Sequence, residues 1–358
     1  MNTYTKFLSL KFLKSISYVF FVIFSLVIIL NVLTEVEFFK SYDVNTYLPH
    51  YLAVLNSFDQ ILEMFPFIFL IATQVFFVNM FSDNQINIFK YSGLKNIQII
   101  KIIGNLTLFG GILIITIFYG ISSNLKNIYL DYKNEYSTDK KYLAVVTNNG
   151  LWIKDIIGQD KVIINASSID SFYLNDVNIS IFDENFNLKR IITSNKANIK
   201  SNNWILFDLK ILENNIVKEI DSSSFYSNFN YNKINSLFSN LSSLSIFELL
   251  ELKNNYKQIK YSTTEVDVQL QKLLSFPIYI FLMTVLSAII MFNTKKFKST
   301  SLKIIIGLFL CVIIYYINNL FQVMGSTDKI PILTSVWMTI FILSLINIIL
   351  ILDINEKQ

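Results

Sequence analysis

The 358-residue chain is 53% hydrophobic and only 16% charged, with a mean hydropathy of +0.48, whereas soluble globular proteins carry about 25% charged residues. Its formal charge of +4 is too small to argue for a nucleic-acid partner, and one cysteine (Cys311) and one histidine (His50) exclude an internal disulfide, a cysteine metal site or a histidine cluster. These numbers describe a membrane protein in which lysine does nearly all the positive work, since Arg190 is the lone arginine.

A membrane-crossing helix needs about 20 apolar residues to cover about 30 Å of hydrocarbon. The first candidate runs from Ser15 to Leu33, preceded by Lys6, Lys11 and Lys14. Its apolar run is too long for a signal peptide and no small-residue cleavage site follows, so it is expected to be retained. The second span covers about Ile61 to Phe81, with Pro66 near its start, and the third about Ile97 to Ile121. After Ser122 the texture changes, and no run long enough to span appears until Leu273 to Phe292, followed by Leu302 to Val323 and Ile332 to Leu352.

Lysines at span ends favour the cytoplasmic side. Lys6, Lys11, Lys14, Lys90, Lys95, Lys101, Lys295, Lys296, Lys298 and Lys303 then fall inside. The outer loops are poorer, holding Glu35, Glu37, Lys40 and Asp43 in one and Asp328 with Lys329 in another. Six spans leave both termini in the cytoplasm and the insert outside. The expected organisation is therefore residues 1–122 as spans one to three, 123–265 as an extracytoplasmic domain, and 266–358 as spans four to six.

The insert alternates like half-buried strands: Val177, Ile179 and Ile181 against Asn178 and Ser180, then Ile205, Phe207, Leu209 and Ile211 against Asp208 and Lys210. Turn-like clusters at Asn148–Gly150, Asp183–Asn185 and Ser201–Asn203 punctuate it. A sandwich, jelly roll or open barrel-like sheet all fit. Ser236 to Lys260 reads as a helix that returns the chain to the membrane.

No G-x-x-x-x-G-K-[ST], H-E-x-x-H or G-x-S-x-G occurs, so nothing marks the chain as an ATPase, zinc protease or serine hydrolase. Gln74, Asn79, Asn318 and Asn319 are the main polar residues within spans, and helix–helix hydrogen bonding is their simplest explanation. The segment from Asp83 to Lys95 is too long for a tight turn and places Ile86, Phe89 and Lys90 on one helical face. Such a face suits docking into a groove on a soluble partner or lying on lipid, and periodicity leaves both open.

Three motifs in order carry a resemblance. Asn84, Gln85, Ile86, Phe89, Lys90 and Gly93 fall on S-E-L-x-x-L-R-x-x-G-x-S, the coupling-helix motif of the LptF/LptG permease family. Gln85 stands at the family glutamate and Lys90 at its arginine. Gly150 to Asp155 resembles the family's G-L-W-x-[RK]-D, with Leu174–Asp183, Leu188–Ile191 and Trp204–Asp208 following its strand order. Lys329–Leu333 with Trp337 resembles L-P-P-x-x-A-x-W before the last span. The segments Asn31–Phe39 and Leu350–Lys357 resemble LptG, which is favoured, with LptF of the same complex as the alternative.

The resemblance implies six inner-membrane helices with an inserted periplasmic β-jelly roll, and a non-catalytic permease subunit of the transporter that extracts lipopolysaccharide. It implies an LptB-like ATPase dimer touching residues 82–96 through Gln85, Ile86, Phe89, Lys90 and Gly93, an LptF-like paralogous permease and an LptC-like protein. ATP would be used by the partner, with no cofactor on this chain. Lipid phosphates would need cations at the outer rim, for which Lys40, Lys126 and Lys133 are candidates. Val177, Ile179, Ile205, Phe207 and Leu209 would point inward along the acyl-chain route, although core packing explains them equally well. Two other classes compete: a different ABC-type lipid or lipoprotein exporter permease, and a membrane-anchored assembly protein without a transport role.

Overall fold

The computed structural model describes residues 3–136, 151–170, 172–213, 216–231, 234, 240–258, 262–292 and 299–355. The expected turn at 148–150, the lysines at 295, 296 and 298, and the last residues of the 350–357 segment lie outside them. The chain forms two units, a helical one of Met1–Tyr129 with Thr264–Gln358 and a β-rich one of Leu130–Thr263.

Six helices of the described residues are long and apolar enough to cross a membrane. Helix α1 is Thr3–Phe39, α2 is Tyr47–Ser82 and the short α3 is Gln85–Tyr91. The third span joins α4 (Asn96–Leu113), a π-helical turn (Ile114–Phe118) and α5 (Tyr119–Tyr136). After the β unit come α7 (Thr264–Phe292), α8 (Thr300–Ser326) and α9 (Ile332–Asn355), with α6 (Ile246–Gln258) preceding them. Each span matches its sequence-based position, but the helices overrun the apolar windows. Residues Thr34–Phe39, read from sequence as loop, complete α1, and Glu35 is buried there.

Helix α7 is the hub, packing on α2, α4, α8 and α9. Its approach to α4 depends on small residues. A Cβ at Gly111 would come within 2.8 Å of the Pro277 Cα, and one at Gly104 within 2.7 Å of the Phe281 ring. By contrast, α1 and α8 bury little of their apolar windows within the chain. Polar bonds lock the hub to its neighbours: Ser287 donates to the Leu70 carbonyl at 2.9 Å and Asn347 to the Leu282 carbonyl at 3.0 Å. In a medium without water, each such bond replaces an unsatisfied group.

The β unit holds one antiparallel sheet of β1 (Leu151–Ile157), β2 (Asp160–Ala166), β3 (Ser168–Asp170), β4 (Tyr173–Phe182), β5 (Leu188–Asn198), β6 (Asn203–Glu213) and β7 (Ile216–Tyr226). The main path is β1-β2-β4-β5-β6-β7, with β3 paired to β4. Register places Ile153 opposite Ile164, Ile164 opposite Ile179, and Ile179 opposite Ile192, so a single face collects the core. The sheet rolls over that face. Asp155 in β1 accepts hydrogen bonds from Ser227 Oγ (2.8 Å), the Asn228 backbone (3.0 Å) and Asn228 Nδ2 (2.8 Å), all just beyond β7. Trp204, fully buried, donates to the Phe229 carbonyl at 2.7 Å.

The face assignment of β6 is corrected by a backbone irregularity. Asp208 has φ of 52° and drops out of the pairing with β5 and β7, so the in–out alternation shifts across it while the register stays unchanged. Trp204, Leu206 and Leu209 therefore point into the core, while Ile205 is 47% exposed and Phe207 half-buried on the other face. Val177 and Ile179 are buried as expected, Val177 following a similar positive-φ residue, Asp176. Ser236–Lys260 is also shorter as a helix than expected: its described part is a 3-10 turn at Leu241–Ser243 and α6.

Candidate coupling segment and lipid-facing residues

Helix α3 exists because two left-handed positions bracket it. Asn84 (φ 58°) turns the chain out of α2, and asparagine tolerates that region. At the far end Gly93 (φ 86°) closes a Schellman motif: its N–H donates to the Lys90 carbonyl and the Leu94 N–H to the Phe89 carbonyl, both at 3.0 Å. The motif glycine is thus the helix stop.

The expected single face of Ile86, Phe89 and Lys90 divides. Ile86 is buried and fastens α3 to the bundle; Phe89 is half-buried, and Lys90 is exposed. The two residues with the largest outward apolar surface are Ile88 (59% exposed) and Tyr91 (91%). Helical spacing could have identified this face, because Ile88 and Tyr91 also lie three residues apart.

The start of α1 completes the site. Phe7 meets Phe89 with ring centroids 6.0 Å apart. Thr3, Tyr4 and Phe7 from α1, with Gln85, Ile88, Phe89, Ser92 and Leu94, line an open groove of about 600 Å³. Lys11 reaches across from α1 to the Asp83 carboxylate (2.8 Å) and the Gln85 Oε1 (2.6 Å), while Gln85 Nε2 donates to Asp83 (3.3 Å). The Lys11 ammonium holds the Asp83 carboxyl below the usual carboxylate range. Gln85 therefore sits in an internal clasp, and the acidic charge lies two residues earlier, at Asp83. Sequence reading missed Phe7, Lys11 and Asp83, since a bond between residues 72 apart leaves no local signal.

Lys40 is exposed. Lys126 pairs with Asp59 (3.3 Å), donates to Asn56 Oδ1 (2.6 Å) and lies 5.0 Å from the Tyr129 ring centre, and Lys133 is 5% exposed. Lys126 belongs to a polar network in which Asn31 donates to Ser57 (2.9 Å), Asn56 to Asn31 (3.2 Å) and Tyr129 to Glu35 (2.8 Å). An ammonium within a bundle needs such partners. Among the polar span residues, Gln74 does bond between helices, donating to the Lys303 and Ile304 carbonyls. Among the described residues no group of acidic, histidine or cysteine side chains could hold a metal ion.

Six apolar spans, an antiparallel sheet inserted after the third, and a groove-forming helix between the second and third define a polytopic membrane protein carrying an inserted β domain. The family described as lipopolysaccharide export system permease LptF/LptG matches residues 7–353. The chain belongs to that family: it is a multi-pass inner-membrane protein and a lipopolysaccharide export permease subunit, a transport component rather than a catalytic one. No curated protein matches it at a significant level.

Proposed function

We propose that this chain is the LptG-like half of a paired permease, driven through α3 by an LptB-like ATPase dimer. The groove between α3 and the start of α1 carries this reading: it is open, mostly apolar and bordered by the exposed Lys90. An apolar groove with a charged rim suits a protein partner. Because Phe89 touches Phe7 and Lys11 bonds Asp83, a push on α3 is transmitted to α1, and Ile86 passes it to the bundle. The uncovered apolar faces of α1 and α8 are the surfaces offered to an LptF-like partner and to acyl chains between the two subunits. Export would proceed with both termini cytoplasmic and the β unit periplasmic, where an LptC-like protein receives the lipid.

The choice of LptG rests on Asn31–Phe39 and Leu350–Lys357. The test is co-purification in detergent. The wild-type chain is expected to bring down an ATPase subunit, and Phe89→Asp to lose most of it while still inserting in the membrane. Full ATPase yield with Phe89→Asp removes the docking assignment.

A further inference from the structure

Three neighbouring spans are interrupted at one level of the bundle. In α2 and α7 the interruption is a proline inside the helix, Pro66 and Pro277. A proline has no N–H, so the carbonyls of Leu62 and Leu273, four residues earlier, lack their helical donor. In the third span the interruption is the π-helical turn Ile114–Phe118. Contacts place the three together. The Phe118 ring lies 5.2 Å from that of Phe65, beside Pro66, and Gly111 lets the Pro277 backbone come close. Pro66 and Phe276 also line one cavity.

The π turn is not imposed by packing. None of its residues is buried, and Thr116 Oγ1 donates to the Ile112 carbonyl at 2.9 Å, satisfying it within the span. Two glycines flank the turn. A Cβ at Gly110 would meet the Phe69 ring at an ordinary 3.8 Å, and among the described residues one at Gly120 would meet nothing within 4 Å. Neither glycine is there for space; both loosen the helix beside the turn. Beyond the interruptions, each half of the bundle is tied within itself. Towards α3, the Phe281 ring packs against Gly104 and Ser287 bonds the Leu70 carbonyl. Away from α3, Lys126 pairs with Asp59 and Lys272 with Glu63, both at 3.3 Å, and Tyr129 donates to Glu35 at 2.8 Å.

We infer that Pro66, Pro277 and the π turn form a hinge layer. About it, residues 47–65 of α2, 264–276 of α7 and 119–129 of the third span tilt as one body, with the end of α1, during export. A π turn holds one residue more than an α turn, so deleting Ile115 restores a continuous helix without turning the faces on either side. The full-length chain with Cys311→Ser carries spin labels at Lys101 and Asn127, exposed positions on opposite sides of the π turn. The unaltered hinge should give a broad distance distribution. Deleting Ile115, or combining Pro66→Ala with Pro277→Ala, should narrow it and remove most lipopolysaccharide export in cells while the chain still accumulates in the membrane. Gly110→Ala with Gly120→Ala keeps the residue count and both prolines, and should give a smaller narrowing and a smaller loss. If the deletion variant does not accumulate, the proline and glycine pairs decide the outcome. Equal widths with and without the substitutions, or full export from a variant whose distribution has narrowed, overturn the hinge. The docking of α3 is judged separately by the ATPase yield, which these variants should leave unchanged.

Discussion

Lys11, Asp83 and Gln85 show how a single substitution relative to a family motif is absorbed locally. A glutamate at 85 would place two carboxylates around one ammonium; glutamine instead donates to Asp83 and accepts from Lys11. The clasp is exposed at Asp83, so its effect is on orientation more than on global stability. Its pH dependence follows from the lowered Asp83 value. The carboxylate is the stabilising form, so the clasp is intact above the ordinary aspartate value of 3.8 and is lost as pH falls through the lowered folded value. Spin labels at Tyr4 and Tyr91 should report a narrow distance distribution at neutral pH that broadens only in strong acid. In Asp83→Asn the distribution should be broad at every pH; a narrow one would show that Phe7 and Phe89 hold the contact alone.

For the strands, the informative comparison is between neighbours on β6. Leu209→Ala removes a core side chain that is 2% exposed and should cost about 2–5 kcal/mol. Ile205→Ala, two residues past the start of the same strand but on the outer face, should stay within about 1 kcal/mol. Pulse proteolysis of the full chain would check this, and equal losses would contradict the face assignment. Asp155 gives a physical meaning to the last residue of the G-L-W-x-[RK]-D motif. It ties the first strand to the segment after the last, so the sheet closes over its apolar face rather than lying flat. A hydrogen bond to a charged acceptor contributes about 1.5–3 kcal/mol, and among the described residues Asp155 accepts three.

Across the whole chain, lysine placement predicts that reporters fused after residues 95 and 355 lie on the cytoplasmic side and one inserted near 185 on the periplasmic side. Phosphatase and fluorescence fusions at these three points would check it. An insert on the cytoplasmic side would refute the proposed lipid route. The same map separates this arrangement from exporters whose large domain follows the first span.

Span number, span order and the position of the β insert were legible in the sequence, because crossing hydrocarbon demands long apolar runs whatever their neighbours are. The family motifs were legible too, since α3 and its glycine stop are set by residues a few positions apart. What tertiary structure alone decided are the facts that depend on distant partners or on a local change of backbone conformation. Lys126 is an ion-pair member because Asp59 lies opposite it, and Ile205 faces out because the alternation of the strand shifts at Asp208. Local periodicity records which face a residue occupies, but not what stands across from that face.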